Sequence, residues 1–368
     1  MKKLQSIQML RGFGALGVVL FHCLAIEGKY FGDVRILPKL FVLGQTGVDL
    51  FFVISGFVMV IATGGRHGVP LETRRFLWGR LTRIYPVYWF YFALTTGAFL
   101  IRSEWVNASQ GHQADFLTSF FLLPTHHLPL VIVAWSLIHE LWFYLVFAGL
   151  IIFSERMLPV LLFMWAVVVL LADLILTGVS LPPFMQIVLH PYTLEFIIGG
   201  FSALAVRKIS RVLTRSEFIA ALLLLVCGLA VAARFSTFSE PNMLRAVYFG
   251  ILYGFTLIVA VVAERSGRLR VPSLFLAIGN SSYTIYLSHL LVISAIGRIW
   301  SLWFTAWIHP LTNAVIFLVM LVAVTVYGWF AYRLIELPLL RLSRRLRTLW
   351  FETPAEGKRI SPLSGQVK

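Results

Sequence analysis

Apolar runs of about twenty residues recur from one end of this sequence to the other, and they leave few folds open. Ten can be marked, at 7–27, 40–62, 84–101, 131–153, 158–178, 188–206, 218–233, 244–263, 275–297 and 312–334. A helix rises about 1.5 Å per residue, so a run of this length matches the roughly 30 Å hydrocarbon layer of a bilayer. The runs do not alternate, which excludes barrel strands of about ten residues with every second side chain apolar. Helices then remain as the structure that satisfies its own backbone in lipid. Composition agrees: 59% of residues are hydrophobic and 13% charged, against about 25% charged in a soluble domain. The predicted fold is all-α, a polytopic membrane bundle of about ten transmembrane helices.

Charge orients the bundle. The formal net charge is +15, which could suggest nucleic acid, but the basic residues lie between the apolar runs and at the C-terminal end. Residues 64–83 carry five arginines against one glutamate, and 207–217 carry four basic residues against one glutamate. Residues 264–270 carry three arginines against one glutamate, and from Arg341 onward there are seven basic residues against two acidic ones. With ten spans all four connections fall on one side, and the intervening connections are poorer in charge. Positive charge collects on the cytoplasmic side, so both termini are expected there and residues 102–130 outside, over the mouth of any site. No nucleic-acid partner is expected; membrane lipids are. Residues 1–340 read as one membrane domain and 341–368 as a basic cytoplasmic tail without fixed structure. The basic start MKKLQSIQMLRG has no small-residue cleavage site after it and reads as an uncleaved first span. Cys23 and Cys227 form neither a disulfide framework nor a metal motif.

Ionisable residues inside spans are expensive and call for a reason. Arg11 and His22 share one face of the first span, about three turns and about 16 Å apart. Arg11 alone reads as a flanking positive charge and His22 alone as an interfacial histidine; as a pair on one face they read better as functional. In RRFLWGRLTRIYPVYW (74–89), Arg80 and Arg83 share a face and can bind lipid phosphate or a phosphorylated ligand. Pro86 is expected to kink or begin the third span. WSLIHELWFY (135–144) places Glu140 near mid-membrane, with Ser136 before it and Tyr144 one turn after. GVDLFFVISGF (47–57) supplies Asp49 and the Ser55-Gly56 pair, the serine without the setting of a hydrolase nucleophile. Glu195 precedes Gly199 and Gly200, which permit a close helix contact. His289 lies deep in the ninth span, and Glu336 and Pro338 close the tenth, where Glu336 can pair with a loop arginine. Ser55, Glu195 and His289 are taken as cavity-lining residues.

Together these segments resemble the membrane-bound acyltransferase-3 family. The resemblance runs in order through LRGFGALGVVLFH (10–22), GVDLFFVISGF, RRFLWGRLTRIYPVYW, WSLIHELWFY, EFIIGG (195–200), NSSYTIYLSH (280–289) and IELP (335–338). That family implies about ten spans and transfer of acetyl or another short acyl group from cytoplasmic acyl-CoA to an acceptor hydroxyl at or beyond the outer face. Its acceptors include bacterial surface polysaccharides, Nod factors and antibiotics. By the resemblance, Arg11 and His22 match its arginine–ten residues–histidine pair, Arg80 and Arg83 its Arg-x-x-Arg pair, and Ser136, Glu140 and Tyr144 the polar positions of its fourth span. No esterase domain follows the spans, so the stand-alone type is expected. His139 matches no position of the pattern.

The implied chemistry suits the residues. A sugar hydroxyl is a poor nucleophile and needs a base, for which His22 is the choice, with Glu140 or Asp49 to orient it if either reaches it. Ser136 or Tyr144 can donate to the oxyanion. Arg80, Arg83 and Arg11 would hold the donor's phosphates. The expected partners are acyl-CoA, acetyl-CoA first, and a saccharide or lipid-linked glycan; no tightly bound cofactor and no metal are implied. The expected location is the bacterial cytoplasmic (inner) membrane. The competing reading is a membrane transporter in which intramembrane Glu and His line a proton or substrate path.

Overall fold

The computed structural model describes residues 4–32, 34–107, 110–235, 241–304 and 309–351. The described residues form helices and loops and contain no strand. Ten helical segments are long and apolar enough to cross a membrane, as the apolar runs require. The chain is a multi-pass bundle.

The central helix is α1 (Gln5–Tyr30). It packs against α2 (Gly47–Thr63), α10 (Met243–Arg265), α11 (Ser273–Asn280), α12 (Ser282–Trp303) and α13 (Pro310–Ala331). Its first backbone amides lack a partner within the helix. Glu264 of α10 supplies one, accepting from the Gln5 and Ser6 N–H groups at 2.8 Å each. A carboxylate at a helix N-terminus is also favoured by the helix dipole. Fixing α1 in the middle places Arg11 and His22 inside the bundle, on one helix, towards opposite ends.

The glycines in the sequence motifs set helix spacing. A methyl group on Gly56 of α2 would overlap the carbonyl oxygen of Phe196 in α8 (Tyr192–Lys208), and one on Gly199 of α8 would overlap that of Val53 in α2. The two backbones therefore touch, as small residues allow in membrane helix pairs. By contrast α6 (Leu158–Ile175) and α9 (Arg215–Ala232) bury the least of the spans and present Leu, Val and Ile outward.

Four boundaries differ from those read from apolarity. α3 runs from Pro70 to Ile101, about 48 Å, so the helix begins a full fourteen residues before the apolar run at 84. Its first turns carry Glu72, Arg74, Arg75, Arg80 and Arg83; apolarity marks the crossing, whereas the helix extends past it. Pro86 lies within α3 and neither starts nor ends it. The ninth run is cut at Ser281, which ends α11 and precedes α12. After α13 a π turn at Tyr332–Glu336 leads directly into α14 (Leu337–Phe351). Residues 341–351 are thus helical where a loose tail was expected, because Trp78 and Thr82 of α3 bond to Ser343 and Trp78 packs on Trp350 at 4.8 Å. Residues 352–368 lie outside the described residues.

The segment 102–130 folds back on α3. Its short helix α4 (Phe116–Phe121) is capped by Asp115. The Tyr85 hydroxyl and the Trp89 indole of α3 donate to the Phe121 and Phe120 carbonyls at 2.9 and 3.1 Å.

Candidate functional site

Two cavities lie one behind the other along α1. The first, about 230 Å³, is lined by Arg11 from α1, Ser55 from α2, Arg80 and Arg83 from α3, Ser136, Glu140 and Tyr144 from α5 (Trp135–Ile151), and Tyr283 and Tyr286 from α12. Five helices far apart in sequence thus bring together all three predicted donor arginines and three of the five predicted catalytic residues. Glu140 is half-buried. It accepts hydrogen bonds on one oxygen from Ser55 Oγ at 3.0 Å and from the Tyr144 hydroxyl at 2.5 Å. Glu140 and Glu336 both attract the Arg11 guanidinium. The Arg80 guanidinium stacks 5.4 Å over Phe76 and 5.7 Å over Tyr144. A carboxylate is tolerated in the apolar run 135–144 because it faces three guanidinium groups and two hydroxyls across a polar cavity.

The second cavity, about 330 Å³, is lined by His22, His139, His190, Trp135, Tyr192 and Arg245, with Leu128 from the segment 102–130 at its edge. Behind its wall two histidines 267 positions apart meet: His289 Nε2, buried and not on the lining as had been expected, lies 3.2 Å from Nδ1 of the lining His22. The hydrogen-bond pattern assigns their tautomers. His289 Nδ1 is 2.7 Å from the Tyr286 carbonyl, so it carries the proton and leaves Nε2 as an acceptor. His22 Nδ1 is also 2.9 Å from the Val18 carbonyl. It is therefore the N–H shared between that carbonyl and His289, and His22 Nε2 keeps the lone pair. An imidazole held in one tautomer by a second group, with the other nitrogen basic and beside a cavity, is arranged as a general base. Neither Glu140 nor Asp49 hydrogen-bonds to His22; His289 occupies the orienting position that was expected of a carboxylate.

Val48 and Tyr286 line both cavities. The Tyr286 hydroxyl donates to the Val133 carbonyl at 2.8 Å, and the Ser136 hydroxyl lies 2.8 Å from the Tyr286 oxygen. The Ser136 and Tyr144 protons are both committed to acceptors, Tyr144's to Glu140, so either must turn to serve an oxyanion.

Asp49 and Glu195 form a separate group at the wall of the histidine cavity. Arg245 Nε and Nη2 reach the two oxygens of Asp49 at 3.0 and 2.7 Å, with both residues buried. This is the bidentate fork that arginine offers a carboxylate. Glu195 is fully buried against the Asp49 carboxyl. Two carboxyls then face this one guanidinium. Asp49 is thus tied into the wall through Arg245 rather than aimed at His22.

The comparisons fit this architecture. A family model described as an acyltransferase domain matches residues 4–333. The chain belongs to the acyltransferase-3 family. One relative is the exopolysaccharide production protein ExoZ of Rhizobium meliloti, 29% identical across 89% of this chain and 96% of its own. Another is the acyltransferase MdmB of Streptomyces mycarofaciens, 30% identical across 39% of this chain and 38% of its own. No solved structure matches this acyltransferase.

Sequence reasoning did not single out Arg245, His190 or Tyr286. Arg245 stands at the edge of the eighth apolar run, 244–263, and lies within α10. His190 stands just before α8 with its ring 4.6 Å from that of His139. The signal for Tyr286 was present in the motif NSSYTIYLSH, three residues before His289 on the same helix face.

Proposed function

We propose that this acyltransferase takes acetyl, or another short acyl group, from acyl-CoA on the cytoplasmic side and passes it to a hydroxyl of a saccharide on the other. The observation that carries the reading is the pair of cavities back to back, one lined by arginines and one by histidines, parted by Val48 and Tyr286. Arg11, Arg80 and Arg83 suit phosphate, since guanidinium groups give charge-assisted and bidentate contacts. Trp135 and Tyr192 offer apolar ring faces beside imidazole nitrogens, a mixture suited to a saccharide. His190 Nδ1 accepts from the Tyr192 N–H at 3.2 Å, which leaves its Nε2–H to donate.

In the reaction His22 Nε2 takes the proton of the acceptor hydroxyl as its oxygen attacks the thioester carbonyl. The tetrahedral oxyanion collapses, the carbon–sulfur bond breaks, and the imidazolium returns its proton to the departing thiolate. Direct transfer requires the donor's flexible arm to thread past Tyr286 so that the thioester reaches His22. The relatives' names, exopolysaccharide production in one and acyltransferase in the other, support a glycan acceptor for this chain.

The charge pattern supports the orientation, with the arginine cavity towards the cytoplasm of a bacterial inner membrane. A cysteine placed at the exposed Gln113 should react with an impermeant reagent on intact spheroplasts; labelling only after lysis reverses the orientation. The functional test is transfer of labelled acetyl from acetyl-CoA to envelope glycan in inside-out membrane vesicles, with glycan mass read in cells with and without the gene. A glycan unchanged in mass and no transfer in vesicles would reject the reading.

A further inference from the structure

His139 stands next to Glu140 in α5, yet it lines the histidine cavity and not the arginine cavity. It is 4% exposed. Four aromatic rings meet its own edge to face, with centroids at 6.0 Å for Phe52, 5.8 Å for Trp135, 5.6 Å for Tyr192 and 4.6 Å for His190. These rings fix the imidazole but give it no bond. Among the described residues neither of its nitrogens has a hydrogen-bond partner, and Nδ1 is enclosed. A buried polar group left unpaired is costly, and a phenylalanine would fill the same aromatic box without that cost.

Orphaned N–H groups are rarer in proteins than orphaned acceptors. The enclosed Nδ1 of His139 therefore carries the lone pair, and the proton is on Nε2, the nitrogen left for the cavity. His190 reaches the same state by another route, since its Nδ1 accepts from the Tyr192 N–H at 3.2 Å and its proton is on Nε2 as well. His22 is the opposite case, with Nδ1–H shared between Val18 and His289 and the lone pair on Nε2. The lining thus offers one imidazole lone pair and two imidazole N–H groups. We propose that His139 and His190 recognise the acceptor saccharide, donating from Nε2–H to two oxygens of a sugar ring so that a further hydroxyl of the same ring is presented to His22. This rests on the acyltransfer reading above and deepens it.

The two kinds of nitrogen divide the work. A lone pair can take a proton and an N–H cannot. A sugar hydroxyl can give or accept a hydrogen bond, so the one facing His22 loses its proton and those facing His139 and His190 keep theirs. The pair thereby sets which position is acylated. Rings only 4.6 Å apart suit two oxygens of one sugar, and Trp135 in the same lining offers an aromatic face to the apolar side of that sugar. A site built to bond a substrate oxygen discriminates strongly, because a sugar without that oxygen leaves the buried donor unpaired.

The test uses the full-length protein in nanodiscs, labelled acetyl-CoA, and oligosaccharides released from the envelope glycan of cells lacking the gene. Oligosaccharide binding, the two KM values and the position of the acetyl group in the product are measured, with melting temperature as the check on folding. His139→Phe keeps the ring contacts and removes the N–H. It should weaken oligosaccharide binding and raise the oligosaccharide KM about ten-fold, as loss of a hydrogen bond at a buried site does, while the KM for acetyl-CoA stays unchanged. His139→Gln, whose amide nitrogen comes near the place of Nε2, should recover part of the affinity. His190→Asn keeps an acceptor for the Tyr192 N–H but withdraws the Nε2–H, so it carries the same test if His139→Phe folds poorly. In either variant the acetyl group should spread to a second position. Unchanged oligosaccharide affinity in both variants overturns the proposal, as does a wild type that binds no oligosaccharide. A fall in kcat with oligosaccharide affinity intact also overturns it, because the N–H groups then serve the oxyanion. Binding that depends on His139 in a protein that transfers no acetyl supports the pair while removing the acyltransfer reading, so the two fail separately.

Discussion

The arginine cavity and the histidine cavity share Val48 and Tyr286 yet are built on opposite principles. In the first the ionisable groups include three guanidiniums, which stay charged at any accessible pH. They are matched by carboxylates that are themselves hydrogen-bonded, as Glu140 is by Ser55 and Tyr144. In the second the working groups are imidazoles, which are neutral or charged according to what they meet. Their partners are backbone carbonyls and one another, as in the chain from Tyr286 through His289 to His22. A permanently charged site holds an anion well and moves protons badly; an imidazole site does the reverse. On the proposed function, holding the donor and carrying out the chemistry fall to different ends of α1, so substitutions at the two ends should differ in kind.

The largest effect tests that division directly. His22→Ala should lower transfer by about 10²–10⁴ while the protein still inserts, measured as labelled acetyl transfer in vesicles at matched protein on a blot. Among the described residues His22 bonds only to the Val18 carbonyl and His289, so its loss leaves no buried charge behind. Near wild-type transfer would move the chemistry into the arginine cavity and break the comparison.

The Asp49–Arg245 pair gives the next effect, and it should be one of stability. Removing one partner of a buried, hydrogen-bonded ion pair costs about 3–5 kcal/mol because the other charge is stranded. Arg245→Ala leaves the Asp49 carboxyl, with Glu195 beside it, without its cation, so it should lower the melting temperature and the amount of folded protein in detergent. Loss of transfer at full stability would instead give the pair a direct part in the reaction.

The difference between these two carboxyl sites also marks how far the sequence could be read. The spans were legible because hydrocarbon thickness fixes the length of an apolar run, and the Gly199 contact because no side chain is there to hold helices apart. The gathering of Arg11, Arg80, Arg83, Ser136, Glu140 and Tyr144 followed from the family resemblance. The partner of His22 did not follow. Reasoning from chemistry looked for a carboxylate, and the orienting group is a histidine brought close by the packing of α12 on α1. Nor did the pairing of Asp49 with Arg245, 196 positions away. Such pairings depend on helix rotation and tilt, which apolar length does not encode. The helix at 337–351 was missed for the opposite reason: it lies outside the apolar run and is held by contacts with α3.

His289 should show an intermediate effect, sharper in character than in size. His289→Ala removes the acceptor that holds His22 Nδ1–H, so kcat should fall about ten-fold while the KM for the donor stays unchanged, since the arginines are untouched. His289→Gln should recover part of the loss because its amide oxygen can accept the same proton. The pH profile of kcat should move in His289→Ala, as the surroundings of the base change. A rise in donor KM with constant kcat would join the two cavities into one functional unit.

Arg83 should give an effect no larger than that of His289, and its mirror image. It lines the arginine cavity with Arg11 and Arg80, and in Arg83→Ala two guanidiniums remain to hold the anion. The donor KM should rise about ten-fold, the worth of a lost charge-assisted contact, with kcat at saturating donor close to that of the wild type. Arg83→Lys keeps the charge but loses the planar fork, so it should recover only part of the affinity. The measurement is a donor titration in inside-out vesicles with acceptor in excess. An unchanged KM in Arg83→Ala would return this residue to the role its position at a basic membrane boundary also permits, that of an anchor for anionic lipid, and would leave Arg11 and Arg80 to hold the donor.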